Sequence, residues 1–221
     1  MSADLRHIDT WLFDLDNTLY PAESLHMRLV EERMTDFVER LTGWPRDEAR
    51  ALQKKYYHAH GTTLAGLMAN HDVDPNHFLD FVHDVPMDRL SPDPALKAAL
   101  RRLPGRRLIF TNGSASHAER VLERLEIDHL FEATFHIEAA DFLPKPAPET
   151  FAKIVAEHSI HAPGAAFFED SEKNLAPAHA LKMTTILVGA HAEGSTADFV
   201  NHRTNDLAGF LASARVQDAA A

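Results

Sequence analysis

The sequence predicts an α/β fold built on a parallel sheet, with an all-helical block inserted after the first strand. Three observations predict it. Five short apolar runs alternate with helical patterns, which is the signature of βαβ units. Four of them are apolar throughout rather than alternating, as strands covered on both faces are. The stretch from Pro21 to Leu90 carries helical periodicity and no strand pattern.

The elements follow in chain order. Trp11-Leu12-Phe13 is the first strand. In the helical stretch, Leu25, Leu29, Val30, Met34, Phe37, Val38 and Leu41 recur at helical spacing and stop at Gly43. Ala49, Leu52 and Tyr56 mark a second helix, and Leu64, Leu67 and Met68 a third. Asp74-Pro75 opens a fourth, with Phe78, Phe81 and Val82 inside it. The chain re-enters the sheet near Leu90-Ser91-Pro92, which predicts a core domain of residues 1–21 and 91–221 and a helical domain of residues 22–90. Asp93-Pro94 starts a helix with Leu96, Leu100 and Leu103 on one face, leading to the strand Leu108-Ile109-Phe110. Ser116 and Glu119 have the spacing of a capping box ahead of Val121, Leu122 and Leu125. Thr134-Phe135-His136 is the third strand, and Pro148 suits the first turn of a helix through Phe151, Ile154 and Val155. Ala166-Phe167-Phe168 and Ile186-Leu187-Val188 complete the strands. The Ala-rich tail from Asp218 to Ala221 is expected to fray.

Composition narrows the function. At 221 residues the chain suits one α/β domain with an insertion. Asp and Glu number 33 against 22 Lys and Arg, for a net charge of -11. Such a surface argues against a nucleic-acid polymer as partner, because that binding draws on a basic footprint. A small phosphate ester stays open, since a bound divalent cation inverts the local field. There is no cysteine, so disulfides, thiolate metal sites and Cys nucleophiles are excluded. No apolar run is long enough to span a bilayer, and MSADLRHIDTW lacks the apolar core of a signal peptide. These features point to a cytoplasmic protein without a membrane partner, expected as a monomer or homodimer.

Four polar segments follow the ends of four successive strands. In Phe13-Asp14-Leu15-Asp16-Asn17-Thr18, two carboxylates at i and i+2 point to one side of an extended chain. Like charges that close need a cation or a shared proton, and carboxylate with carbonyl oxygens suits Mg²⁺. Thr111-Asn112-Gly113-Ser114 lies between a strand and a helix, where backbone N–H groups and a hydroxyl can cradle phosphate oxygens. Leu143-Pro144-Lys145-Pro146 aims one ammonium from an extended segment. Glu169-Asp170-Ser171 adds a second acidic pair. Each alone has a bland reading as a turn, a loop charge or a helix terminus. Together they sit where parallel sheets bind ligands, at the carboxyl ends of the strands.

These four segments, in this order, resemble motifs one to four of the haloacid dehalogenase (HAD) superfamily. The resemblance implies a Rossmann-like core with five parallel strands in the order 5-4-1-2-3 and a helical cap after motif one. It implies that Asp14 is the nucleophile and a Mg²⁺ ligand. Asp16 would give the metal a backbone carbonyl and act as general acid, then base. Thr111, with the N–H groups of Asn112 and Gly113, would hold phosphoryl oxygens, and Lys145 would pair with Asp14 and the phosphate. Asp170 would be a direct metal carboxylate, with Glu169 nearby or acting through water. The dehalogenating members lack an Asp at the position of Asp16, and an alkoxide leaving group needs an acid where a halide does not. Asp16 therefore favours phosphate esters.

A finer resemblance is to the pyrimidine 5′-nucleotidase group. It rests on Phe13 to Pro21 (FDLDNTLYP), on Tyr56-Tyr57-His58-Ala59-His60-Gly61 followed by Thr62 to Met68, and on Thr111 to Ser114 with His117. It implies hydrolysis of UMP- and CMP-type nucleotides, with Tyr57, His58, His60, Thr62, Thr63 and His117 as candidate contacts to base or ribose. Phosphatases of sugar phosphates and other small esters, and phosphomutases, share the core pattern and remain alternatives.

Overall fold

The computed structural model describes residues 2–217. Thr10–Phe13 (β1), Arg106–Phe110 (β2), Ala133–Phe135 (β3), Ala165–Glu169 (β4) and Thr184–Val188 (β5) form parallel strands, joined by His202–Thr204 (β6) at one edge. The sheet order is β3-β2-β1-β4-β5-β6. Read from the other edge, this is the expected 5-4-1-2-3 with one strand added outside β5. That strand, His-Arg-Thr, is partly exposed at all three positions and has no apolar run to mark it. The tail from Asp218 to Ala221 lies outside the described residues.

Residues on alternate faces of the strands feed two separate cores, which is why the runs of β1, β2, β4 and β5 are apolar without interruption. Trp11, Phe13, Ile109, Phe168 and Ile186 face one core with Leu96 and Leu100 of Pro94–Arg101 (α5) and Val121 and Leu122 of Ala115–Arg124 (α6). Leu12, Leu108, Phe110, Phe167 and Leu187 face the other, with Phe151 and Ile154 of Pro148–Glu157 (α7) and Leu175 of Glu172–Ala180 (α8). A last helix, Leu207–Ser213 (α9), packs its Leu211 into the first core. Phe13 lies level with Ile109 of β2 and Phe168 of β4. That register brings the residues just after β1, β2 and β4 to one edge of the sheet.

Asp93 and Asp74 cap their helices as expected, each carboxylate accepting from backbone N–H groups of the first turn. The expected cap at Ser116 is corrected. Ser114 is the N-cap of α6, its hydroxyl accepting from the His117 N–H at 3.3 Å. An N-cap residue must be extended while its successors are helical. Ser114 has φ −75° and ψ 161°, whereas Ser116 already lies inside the helix.

Between β1 and α5 the chain forms His26–Thr42 (α1), Arg46–His60 (α2), Thr63–Asn70 (α3) and Pro75–His83 (α4). These helices share a third core around Val30, Val38, Tyr56, Leu67, Phe78 and Val82, which Ile137 of the sheet side joins. Leu25 and Leu41, at the ends of the first periodic pattern, stay exposed. Gly43 ends α1 in the left-handed conformation at φ 70°, its N–H donating to the Glu39 carbonyl. Among the described residues, no helix is long and apolar enough to cross a membrane.

Gly66 shows how tightly α2 and α3 pack. A Cβ added there would lie 2.3 Å from the Tyr56 Cβ. Gly66→Ala gains about 1 kcal/mol of helix propensity, but overpacking of this kind costs about 1–3 kcal/mol. The substitution is expected to lower the urea midpoint; a midpoint equal to or above wild type would show that the two helices can separate freely.

Candidate active site

The site begins with the backbone at the sheet edge. Asp14 directly follows β1, and its N–H donates to the Phe168 carbonyl at 2.8 Å. Thr111 directly follows β2, its N–H on the Phe135 carbonyl at 3.0 Å. Glu169 is the last residue of β4 and Asp170 the next. Lys145 arrives on the segment after β3, ahead of a cis Lys145-Pro146 bond. The Asn112 side chain ties that segment down: its Oδ1 accepts the Lys145 N–H at 2.8 Å and its Nδ2 donates to the Lys145 carbonyl at 3.2 Å. This clamp by a side chain adds to the backbone role expected of Asn112.

The Lys145 ammonium is the hub. It is 1% exposed and donates to Asp14 Oδ1, Glu169 Oε2 and the Phe110 carbonyl, each at 2.7 Å. An ammonium has three donors, so all of them are used. Asp14, Glu169 and Asp170 each present an oxygen within 4.8 Å of the others. Burial, followed by the Glu169 charge, pushes the Asp14 carboxyl up to about 7, and Lys145 offsets this only in part. Burial likewise lifts Glu169 to about 7. Burial and the Asp14 charge lift Asp170 to about 6. Burial opposes the charge on Lys145, but the Asp14 and Glu169 carboxylates hold it above the usual lysine range.

Three carboxylates against one ammonium leave an excess of buried negative charge. That excess, with oxygen donors only, fits a hard divalent cation. Glu169 is the most committed of the three, since Oε2 meets Lys145 and Oε1 accepts the Ser171 N–H at 3.0 Å. Asp170 meets the Asn17 amide at 3.5 Å and the neighbouring Glu169 carboxyl.

The turn after β2 is tight. Gly113 donates its N–H to the Thr111 hydroxyl oxygen at 2.9 Å, which leaves the Thr111 hydroxyl proton to point elsewhere. The Gly113 N–H expected to hold a phosphoryl oxygen is therefore engaged within the turn. A Cβ on Gly113 would come within 3.1 Å of His117 Cδ2 and 3.5 Å of Asp16 Oδ2. This close approach is what the glycine permits.

Asp16 is held from outside the sheet. Its Oδ1 accepts from the Tyr20 hydroxyl at 2.6 Å and meets His117 Nε2 at 2.8 Å. Burial alone would raise its pKa, but His117 and these hydrogen bonds outweigh burial and hold it well below the usual carboxylate range. His117 is fully buried and packs parallel to two other imidazoles. His83 stacks on one side at 4.2 Å and 15°, and His26 at 5.8 Å and 8°. His83 Nδ1 meets the Ser114 hydroxyl at 2.9 Å. Burial holds His26 below its usual range and depresses His83 to about 3.

A family model of haloacid dehalogenase-like hydrolases matches residues 8–182. The chain belongs to that family. Phosphate metabolism protein 8 of Saccharomyces cerevisiae is 30% identical over 196 residues, covering 80% of this chain and 60% of that protein. The chain thus spans less than two thirds of the length of the curated relative it matches. A HAD phosphatase from Thermococcus onnurineus superposes with a TM-score of 0.60 at 19% identity, covering 98% of this chain and 100% of that one. A 2-haloacid dehalogenase from Pseudomonas syringae pv. Tomato does so with 0.56 at 20% identity, covering 93% and 98%. At such identities the two structures speak for the fold alone.

In this haloacid dehalogenase-like hydrolase, a cavity of about 230 Å³ rises from Asp14, Lys145 and Asp170 to the helices α1–α4. Tyr57, Thr62 and Thr63 line it, beside apolar Met27, Leu64 and Phe78. Three of the expected base or ribose contacts lie elsewhere. His58 and His60 are exposed at the C-terminal end of α2 and stay outside the cavity lining, although His60 shares the helix side of Tyr56, its ring 5.9 Å from the Tyr56 ring. His58 lines a separate groove between α1 and α2. His117 is corrected too: it belongs to the buried face of α6, and its polar edge is spent on Asp16. Tyr57 also carries Lys173 over its ring, the ammonium 4.3 Å from the centroid, so α2 and α8 meet across the cavity mouth.

Neither Tyr20 nor the Asn112 clamp nor the imidazole stack was among the residues predicted for the site beyond His117 itself. Tyr20 carried the one available signal, since it lies four residues after Asp16 in a segment singled out by its resemblance.

Proposed function

We propose that this chain is a Mg²⁺-dependent phosphomonoesterase that works through an aspartyl-phosphate on Asp14, with pyrimidine nucleoside 5′-monophosphates of the UMP and CMP type as substrates. The observation that carries the reading is the contact of Asp14 with Lys145 at the floor of the cavity, with Asp16 beside the Thr111–Gly113 turn. A buried carboxylate facing a cavity is a nucleophile placed for in-line attack. Asp16 is the second acid–base group that an ester with an alkoxide leaving group needs and a halide does not.

Asp14 and Asp170 would hold the metal by their carboxylates and Asp16 by its carbonyl, with Glu169 kept nearby as the counter-ion of Lys145. Bound there, Mg²⁺ supplies positive charge between the carboxylate nucleophile and a dianionic ester. The Asp14 carboxylate attacks phosphorus while the ester P–O bond breaks. Lys145 and the Thr111 hydroxyl face the charge that builds on the phosphoryl oxygens. Asp16 gives a proton to the leaving oxygen in that step and takes one from water in the next. Against the pull of burial, His117 and the Tyr20 hydroxyl favour the carboxylate form of Asp16, the one the second step uses. Tyr57, Thr62 and Thr63 offer polar groups to a ribose or base among apolar neighbours. The nucleotide assignment itself rests on the resemblance of Phe13–Pro21 and of the Tyr56–Met68 segment. The absence of cysteine favours the cytoplasm.

A panel of UMP, CMP, purine nucleotides, sugar phosphates and a 2-haloacid, each with Mg²⁺ and with EDTA, tests every part. Phosphate is expected from UMP and CMP, at least about 10²-fold slower in EDTA. A preference for sugar phosphates would overturn the nucleotidase assignment. Phosphate release undiminished by EDTA would remove the metal, and halide release without phosphate release would remove the phosphatase reading.

A further inference from the structure

We propose that His117 and Tyr20 are positioning residues that fix Asp16 by one oxygen so that its other oxygen serves as the base against the aspartyl-phosphate. The proposal rests on the phosphatase reading above.

The geometry divides the Asp16 carboxylate in two. Oδ1 takes both hydrogen bonds, from the Tyr20 hydroxyl at 2.6 Å and from His117 Nε2 at 2.8 Å. Oδ2 lies on the side of Gly113, 3.5 Å from where a Cβ of that residue would stand, and Asp16 lines the cavity. An ionised carboxylate only accepts, so Nε2 carries the hydrogen in this pair. A carboxylate held by one donor can still swing about its Cα–Cβ and Cβ–Cγ bonds. Two donors arriving from different elements on the same oxygen remove that freedom.

The ring itself has nowhere to turn. His83 and His26 pack against it in nearly parallel planes, their centroids 4.2 and 5.8 Å away. Its Nδ1 is buried with no hydrogen-bond partner among the described residues. A buried polar ring with half its hydrogen-bonding capacity unmet is costly, and such groups in folded proteins call for a reason. The bond to Asp16 supplies one. His26 opens α1 and His83 closes α4, so both passages between the helical block and the sheet meet on this imidazole. Arg120 fastens the second passage to α6, donating to the His83 and Val85 carbonyls at 2.9 Å each. The ring that orients Asp16 is thereby anchored to both parts of the molecule.

The step it serves balances as follows. Asp16 Oδ2 takes a proton from water, the water oxygen bonds to phosphorus, and the bond from phosphorus to Asp14 breaks. The Asp14 carboxylate is restored and phosphate departs. Loss of orientation should slow this step more than the first, when the first is made easy.

An aryl phosphate makes it easy, because a phenolate leaves without a proton. In His117→Ala with p-nitrophenyl phosphate and Mg²⁺, kcat is expected to fall at least about 10-fold, a part of the 10²–10⁴-fold that acid–base catalysis contributes. KM should fall with it, leaving kcat/KM within about 3-fold, and rapid mixing should show a burst of nitrophenolate as the phosphoenzyme accumulates. Tyr20→Phe keeps the buried ring and loses one hydrogen bond, so it should show the same pattern at about 3-fold. His117→Gln restores a donor near Nε2 and should recover most of the rate.

A fall in kcat/KM matching that in kcat, with no burst in either variant, would overturn the positioning role, as would a His117→Gln no better than His117→Ala. Should His117→Ala not fold, Tyr20→Phe decides alone. A wild-type protein that releases no phosphate from any ester overturns the underlying reading as well. Turnover by wild type with burst-free variants removes the positioning role only.

Discussion

Asp14→Asn is expected to lower phosphate release by at least about 10⁴-fold while leaving the protein folded. An amide is no nucleophile toward phosphorus, and removal of a covalent nucleophile from a site that works as a unit forfeits most of the catalysis. Folding should survive for a reason specific to this site. The Asn Oδ1 can still accept from Lys145 Nζ, replacing the 2.7 Å bond. The change also takes one negative charge from three carboxylates that face a single ammonium. The urea midpoint in EDTA should therefore equal or exceed that of wild type. Phosphate release in the variant at the wild-type rate would refute the nucleophile assignment. A collapsed midpoint would instead show that the carboxylate is needed for the fold.

Lys145→Met is expected to damage both properties together. Methionine fills much of the space of the lysine stem but presents no donor. Asp14 and Glu169 would then face each other without the ammonium between them, and the Phe110 carbonyl would lose its 2.7 Å partner. Breaking a buried charge pair on one side typically costs about 3–5 kcal/mol, and Lys145 is buried enough for the full effect, at 1% exposure. Activity should fall about 10²–10³-fold, as when one electrostatic stabiliser of a transition state is removed. Urea unfolding and phosphate release check the two halves. A variant within about 1 kcal/mol of wild type would mean that the cluster protonates in place of its lost cation, and Lys145 would cease to be the hub of the fold at this edge.

The contrast between these two substitutions follows from position. Asp14 and Lys145 are bonded to each other, yet one removes excess charge from the cluster and the other removes its only ammonium.

Much of this site was legible before any coordinates. Asp14 and Asp170 follow strands that are apolar on both faces, and such runs announce themselves. Lys145 stood out between two prolines. Asp74-Pro75, Asp93-Pro94 and Gly43 mark helix ends by chemistry that operates within a few residues. The failures are equally local in cause. β6 has three partly exposed residues and becomes a strand only because β5 offers its edge. Ser116 has capping-box spacing, but the Thr111–Gly113 turn delivers Ser114 to the extended position first. His58 and His60 share a segment with Tyr57 and Thr62, and no pattern within that segment separates the two that line the cavity from the two that do not.

The sequence by itself determined which residues are ionisable, where the five apolar strands and the helices up to α7 run, and which four segments belong to one chemistry. These depend on neighbours a few positions apart, where hydrophobic period and capping act directly. Only the tertiary structure decided the partners. His117 meets Asp16 across 101 positions and Lys145 meets Asp14 across 131, and no local pattern encodes such a meeting. It follows from the strand register, which sets which carboxyl ends are level, and from packing, which buries one histidine face and exposes another.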